Sequence, residues 1–194
     1  GYENSTYITY LEFDTYYGNL NFSSWSADGE VEYMLFGAPV SQDYENYAHG
    51  LEFTSFIDSF LSYKLNLSTS KDLIRQNDEN FLQQIDITNT KRDYIEVLIS
   101  DLDIFNLSDK LTFGLDIEDE QVKYSSYGTI YQEKIQTKSF FGNANVTFSN
   151  TSISASFRNT DHDTYNNNLS WTAEILRNIN RSWQVGVLSG SSFR

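Results

Sequence analysis

The sequence predicts an all-β chain, an antiparallel up-and-down sheet of the kind that walls a transmembrane barrel, and three observations predict it. Apolar and polar residues alternate with period two over run after run, so each run presents one apolar and one polar face. Aromatic residues make up 16 % of the 194 residues, with 14 Tyr and 14 Phe against a single Pro, and rings and β-branched groups suit a pleated surface. Several alternating runs reach about ten residues, the length at which a tilted strand crosses a bilayer, whereas globular strands average about five or six.

In chain order, Leu11 and Phe13 oppose Glu12 and Asp14, and Leu51, Phe53 and Ile57 oppose Glu52, Thr54 and Asp58. Leu61, Tyr63, Leu65 and Leu67 alternate with Ser62, Lys64, Asn66 and Ser68. The segment from Tyr94 to Leu102 is less regular, because Val97, Leu98 and Ile99 are consecutive. Leu111, Phe113, Leu115 and Ile117 then oppose Lys110, Thr112, Asp116 and Glu118. Phe140, Ala144, Val146 and Phe148, with Gly142 in their row, oppose Asn143, Asn145 and Thr147. Ile153, Ala155 and Phe157 oppose Ser154, Ser156 and Arg158; Leu169, Trp171, Ala173 and Ile175 oppose Ser170, Thr172 and Glu174; Trp183, Val185 and Val187 begin a last run.

Between the runs, Asp58-Ser59-Phe60, Asn106-Leu107-Ser108-Asp109, Ser149-Asn150-Thr151 and Asn178-Ile179-Asn180-Arg181 read as tight turns, since Asn, Asp and Ser satisfy turn backbone locally. Longer polar connections are expected over residues 23–47, 70–84, 124–136 and 159–168. This short-long rhythm matches barrels that carry tight turns at one end and long loops at the other. The expectation is about nine strands forming an open, curved sheet, part of a larger circumference. Asp116, Glu118, Arg158 and Glu174 lie opposite the apolar rows and are expected to face a wet lumen. A soluble antiparallel sandwich alternates in the same way and remains the competing architecture.

Composition excludes several functions. A net charge of −14 and a pI near 4.3 argue against nucleic acid, whose binding needs Lys and Arg to neutralise phosphates. No window approaches the roughly 18 to 20 consecutive apolar residues of a spanning helix. A mean hydropathy of −0.48 remains compatible with barrel strands, which are apolar only at alternate positions. The absence of Cys removes disulfides and thiolate metal sites. The chain starts at Gly1 and stops at Arg194 within a strand-like run, which is expected of a cut piece of a longer protein.

Few residues invite chemistry. Asp161, His162 and Asp163 are the one set that suggests a metal, but neighbours on a strand point to opposite faces and converge only at a turn; solvated loop charges are the competing reading. His49 reads as a strand-end residue. With no Cys, two His and no Gly-rich phosphate loop, no cofactor and no enzymatic activity are expected. The Tyr-rich connections offer recognition instead. Tyr33, Met34, Phe36 and Tyr44 fall in one, and Tyr124, Tyr127 and Tyr131 in another. Their amphipathic rings serve either as an interfacial girdle or as the grip on a bulky ligand.

The later part of the chain resembles a family. Thr88-Asn89-Thr90-Lys91-Arg92 entering a strand, then Leu111-Thr112-Phe113-Gly114-Leu115-Asp116 followed by Glu120-Gln121-Val122, resemble consecutive barrel strands of TonB-dependent outer-membrane receptors, nearest the cobalamin-receptor branch. Phe157-Arg158-Asn159-Thr160-Asp161-His162-Asp163-Thr164-Tyr165 is similar to that family's Arg-x-Asp-Asp-Asn-x-x-Phe-Gly hairpin, and Ser189-Gly190-Ser191-Ser192-Phe193-Arg194 to its Tyr-Gly-Thr-Ser-Phe-Lys/Arg segment. The hairpin Gly is replaced near Asn166, and Leu188 stands where Tyr is usual. The resemblance implies that residues 1–194 are part of a 22-stranded receptor barrel without its plug domain or its two barrel ends. It further implies the bacterial outer membrane as location and outer-membrane lipid as surroundings. The implied function is energy-coupled uptake of a bulky nutrient, a cobalamin-like corrinoid ahead of an iron chelate of the siderophore kind, with TonB acting through the missing plug. Two other functions remain open: a secreted β-sandwich that binds carbohydrate through exposed Tyr and Trp, and a passive porin-like channel.

Overall fold

Period-two alternation marks strands wherever one face is apolar, yet each strand runs well past its apolar stretch. In a computed structural model, which describes residues 1–35, 37–58, 61–78, 84–100 and 110–192, ten strands follow in order. They are β1 (Tyr2–Thr15), β2 (Gly18–Leu35), β3 (Ala38–Asp58), β4 (Leu61–Asp78), β5 (Gln84–Ser100), β6 (Lys110–Ser126), β7 (Thr129–Phe148), β8 (Thr151–His162), β9 (Asn166–Asn178) and β10 (Gln184–Ser191). They form one sheet in sequence order, each strand antiparallel to the next.

The register collects the side chains into two faces. On the first, Leu11 pairs with Phe22, Phe22 with Leu51, Leu51 with Leu67, Leu67 with Ile95 and Ile95 with Ile117. Phe113, Gly142, Phe157 and Trp171 continue it, and Val187 beside Ile175 ends it. This apolar band crosses all ten strands at the end of the sheet where the Tyr16–Tyr17, Ser149–Asn150 and Ile179–Trp183 turns lie. Much of it is open: Leu115 is 57 % exposed and Val187 71 %. The second face is polar. The register places Asp116 beside Glu96 and Ser139, Glu118 beside Tyr94, Arg158 beside Phe141 and Glu174 beside Ser154, all on that side.

Several expectations are corrected. Ten strands form where about nine were expected, and the long connections are largely strand. Residues 23–35 and 38–47 belong to β2 and β3, and residues 70–78 to β4. Residues 124–136 form a hairpin whose turn, Tyr127–Gly128, has φ of 47° and 74°, both positive as a tight two-residue hairpin requires. The reason is physical. Beyond the band the sides exchange: Asp28 stands opposite Glu45 and Glu30 opposite Asp43 on the face that carries the band, while Tyr33 and Val40 pair on the other, so the apolar row does not carry on along one face while the backbone ladder does. The barrel-wall expectation fails as well. The sheet is open and without strong curvature, because nearest-neighbour hairpins specify strand order but not closure, and β1 and β10 each pair on one side only. The expected turns at Asp58-Ser59-Phe60 and over residues 106–109, and Phe36, fall on or beside residues outside those described.

Candidate polar-face site

The polar face carries the densest set of interacting groups. One row runs across the middle of the sheet: Asn66 on β4, Glu96 on β5, Asp116 on β6, Ser139 on β7 and Thr160 on β8 are successive register partners. Asn66 Nδ2 donates to Glu96 Oε1 at 2.5 Å and Tyr94 Oη to Glu96 Oε2 at 3.0 Å. Arg158 Nη2 donates to Asp116 Oδ2 at 2.6 Å and to Ser139 Oγ at 3.0 Å, tying β8 to β6 across the intervening strand. Asp116 is 3 % exposed and Ser139 4 %, whereas the Arg158 side chain is 44 % exposed. The carboxylate is thus covered and the guanidinium is its lid.

A second row explains how Arg158 is held. Gly114, Phe141 and Arg158 are successive register partners. A Cβ on Gly114 would come within 2.3 Å of Phe141 Cζ, so the glycine lets that ring lie across β6. The guanidinium carbon sits 5.0 Å from the Phe141 centroid, a cation–π distance. Flanking pairs extend the charged surface, with Arg92 bridging Glu118 at 3.2 Å and Glu120 at 3.3 Å, and Lys64 meeting Glu52 at 2.6 Å. Glu174 accepts from Ser154 Oγ at 3.3 Å. The result is a polar surface on which carboxylates outnumber the cations paired with them and which offers both donors and acceptors.

The other sequence-derived candidates do not gather here. Tyr33 and Met34 lie in β2 and Tyr44 in β3. The Tyr33 hydroxyl donates to Gln76 Oε1 at 3.0 Å and that of Tyr44 to Asn4 Oδ1 at 2.8 Å, across Gly29, where a Cβ would meet the Tyr44 hydroxyl at 2.6 Å. Tyr124 and Tyr131 are register partners in β6 and β7, and Tyr131 also bonds Glu133; Tyr127 occupies the turn between them. These rings stand on strands and a tight turn, not on long loops. The Asp161, His162 and Asp163 set is dispersed. Asp161 pairs in register with Lys138 and His162 with Thr137 on the opposite face, while Asp163 Oδ2 accepts from the Gln136 N–H at 2.9 Å. His162 Nδ1 accepts from the Thr164 N–H at 3.1 Å, so a local turn bond occupies the histidine and a cross-strand bond to β7 the carboxylate. His49 lies mid-strand, 2.9 Å from Ser24 Oγ through Nδ1 and stacked on Tyr47.

Phe141 and Gly114 were not singled out by alternation. Phe141 is an apolar residue on the polar face, and its partner Gly114 has no side chain to mark a row.

Just beyond the apolar band, on the same face, lies a charged row in which Lys71 stands opposite Lys91. Each cation meets an anion, Lys71 sharing Glu45 at 3.7 Å with Arg75 at 3.2 Å and Lys91 meeting Asp93 at 2.7 Å. The Lys91 ammonium and then the Thr69 hydroxyl hold the Asp93 carboxyl below its ordinary pKa. A lowered carboxylate pKa contributes stability that is present above the unfolded-chain value and disappears as pH falls through the folded one. Because both side chains are 47 % exposed, the effect is expected to stay under about 1 kcal/mol. Acid titration of unfolding should show Asp93→Asn with a shallower acid limb than the parent and unchanged slope near neutral pH.

Neither a protein-family model nor a curated protein matches the chain. The TonB-dependent receptor resemblance is therefore withdrawn, and with it what rested on it alone: the cobalamin or iron-chelate ligand, the TonB partner, energy-coupled uptake, the outer-membrane location and the lipid surroundings. The sheet gives them no independent footing. Closure is what removes strand edges from an apolar medium, and the β1 and β10 edges are not joined. Among the described residues no helix is long and apolar enough to cross a membrane, a statement that concerns helices and not strands.

Proposed function

We propose that the chain is a passive, porin-like wall with no catalytic role, whose polar face borders water and passing polar solutes and whose apolar face is held out of water. One observation carries this reading over the sandwich: all ten strands belong to a single sheet in sequence order, with the apolar band continuous along one side. A sandwich divides its strands between two sheets and buries the apolar faces of both against each other, about 10 Å apart. A polar surface on which Asp116, Glu118, Glu120 and Glu96 outnumber Arg158 and Arg92 suits a passive path for polar solutes, with a bias toward cations.

Two tryptophans report the faces separately. Trp171 lies in the apolar band and Trp25 pairs with Ile8 on the other side. Chains retaining one or the other, the remaining Trp changed to Phe, are dispersed in a detergent that carries bromine on its alkyl chain and also titrated with iodide. The expected result is Trp171 quenched by the bromine and sheltered from iodide, with Trp25 reversed. Trp171 sheltered from iodide in plain buffer, in a monomer without detergent, would show protein packed over the band and favour the sandwich.

A further inference from the structure

In the middle of the chain β7 outruns its neighbour. From Thr129 onward it is paired with β6, whereas β8 reaches only to His162 opposite Thr137, where the turn over residues 163–165 leads back into β9. Residues 129–135 therefore carry a ladder on one side only. This overhang lies at the end of the sheet away from the apolar band and extends about 23 Å, given a strand's rise per residue. We propose that it takes up an extended segment of another polypeptide as an added antiparallel strand in line with β8. A carboxylate of that segment stands opposite Lys134, and apolar residues stand opposite Ile130 and Tyr131.

Gln136 shows which way the backbone groups of the overhang point. Its C=O accepts from the Asp163 N–H at 3.2 Å and its N–H donates to Asp163 Oδ2 at 2.9 Å, both toward the β8 side. Groups on one side of an antiparallel strand recur at every second residue, so the N–H and C=O of Lys134, Gln132 and Ile130 turn the same way. Among the described residues no backbone group meets them, and Thr129, Ile130, Tyr131 and Gln132 are all exposed. The β6–β7 register is unbroken up to its turn and the run contains no proline, so neither a bulge nor a missing donor blunts this edge. Such an edge recruits a strand, and ladder bonds of this kind hold extended peptides against sheets.

Charge selects the occupant. Lys134 shares its face with Lys123, which stands opposite Gln132 on β6, and among the described residues neither forms an ion pair. Lys91, in the same row as Lys134, is already met by Asp93. A second copy does not supply the missing anion. Residues opposite one another in a ladder share a face, so two antiparallel overhangs would set Lys134 among Ile130, Gln132, Lys134 and Gln136 of the other copy, none of them a carboxylate. On the reverse face Glu133 already accepts from the Tyr131 hydroxyl. That leaves the ring of Tyr131, 50 % exposed, to an apolar side chain.

The probe is an acetylated, dye-labelled peptide, Val-Glu-Thr-Thr-Val-Val-Thr, whose glutamate stands opposite Lys134 when its first residue stands opposite Ile135. A second peptide has lysine in place of the glutamate. Each is titrated by fluorescence anisotropy against the full chain in a non-ionic, bromine-free detergent. On a chain of net charge −14, non-specific attraction favours the lysine peptide. The expected result is saturable binding with the glutamate peptide ahead several-fold, that order reversed by Lys134→Glu, and binding of both peptides lost in Gln132→Pro. The proline removes an N–H that the sheet does not use, a placement that edge strands tolerate, so the unfolding midpoint should match the parent's. Where Gln132→Pro fails to fold, the reversal by Lys134→Glu decides alone. The proposal is overturned by no saturable binding of the glutamate peptide, by a parent chain that prefers the lysine peptide, by a preference indifferent to Lys134→Glu, or by undiminished binding to folded Gln132→Pro. Self-association of the parent that Gln132→Pro abolishes also overturns it, since the edge then belongs to a second copy. Quenching of Trp171 reads the opposite end of the sheet, so the wall reading is judged separately.

Discussion

Replacing Gly18 with Ala is expected to lower stability by about 3 kcal/mol or more, the largest loss from any single methyl group in this sheet. Gly18 opens β2 at φ 147°, a conformation L residues avoid. A Cβ there would lie 2.2 Å from the carbonyl oxygen of Thr54, backbone that cannot swing aside without moving β3. The turn before it is organised around the same residue, since Thr15 Oγ1 donates to the Gly18 carbonyl at 2.7 Å and Ser55 Oγ donates to the Tyr17 carbonyl. Gly37→Ala is the control. It too has positive φ, 84°, but nothing lies within 4 Å of its Cβ position, so strain alone should cost about 1 kcal/mol. Denaturant midpoints of the two variants, measured under one condition, should differ in that order; equal losses would mean that contact with β3 is not what matters at Gly18.

Arg158→Leu is expected to cost about 2 kcal/mol. Removing the guanidinium deprives Asp116 of its cation at 2.6 Å while the carboxylate stays covered. Breaking such a pair from one side costs roughly 3–5 kcal/mol when both partners are buried, and the partial exposure of Arg158 lowers that figure. Asp116→Asn in the same chain should recover part of the loss, because a neutral amide no longer needs the charge. A double-mutant cycle on the unfolding midpoint separates this coupling from the packing that Arg158 gives to Phe141. A purely additive result would mean that the ion pair contributes nothing beyond the sum of its contacts.

Strand identity and the division between faces were legible in the sequence wherever one side was apolar. Leu111, Phe113 and Leu115 against Thr112 and Asp116, or Ile153, Ala155 and Phe157 against Ser154, Ser156 and Arg158, needed only the two-residue repeat of a strand. The same repeat could not see the outer halves of β2 and β3. There Asp28, Glu30, Asp43 and Glu45 share one face while Val31, Tyr33, Val40 and Tyr44 lie on the other, so the apolar side is the reverse of the one the band occupies, and a pattern followed along a single face is lost. Asp161-His162-Asp163 reads as a cluster in one dimension, but the pleat separates its first two members and the backbone N–H of Gln136 on β7 engages the third.

By itself, then, the sequence determined the all-β class, the polar and apolar rows of the band and the turns at Ser149–Thr151 and Asn178–Arg181, because each depends on residues two to four positions apart. Only the tertiary structure decided the cross-strand groupings and the openness of the sheet. Arg158 reaches Asp116 across two strand boundaries, over a ring that lies flat because residue 114 is glycine, and that requires the register of three strands at once. Closure is more remote still. It would need a bond between strands far apart in the sequence, and no local repeat specifies such a pairing.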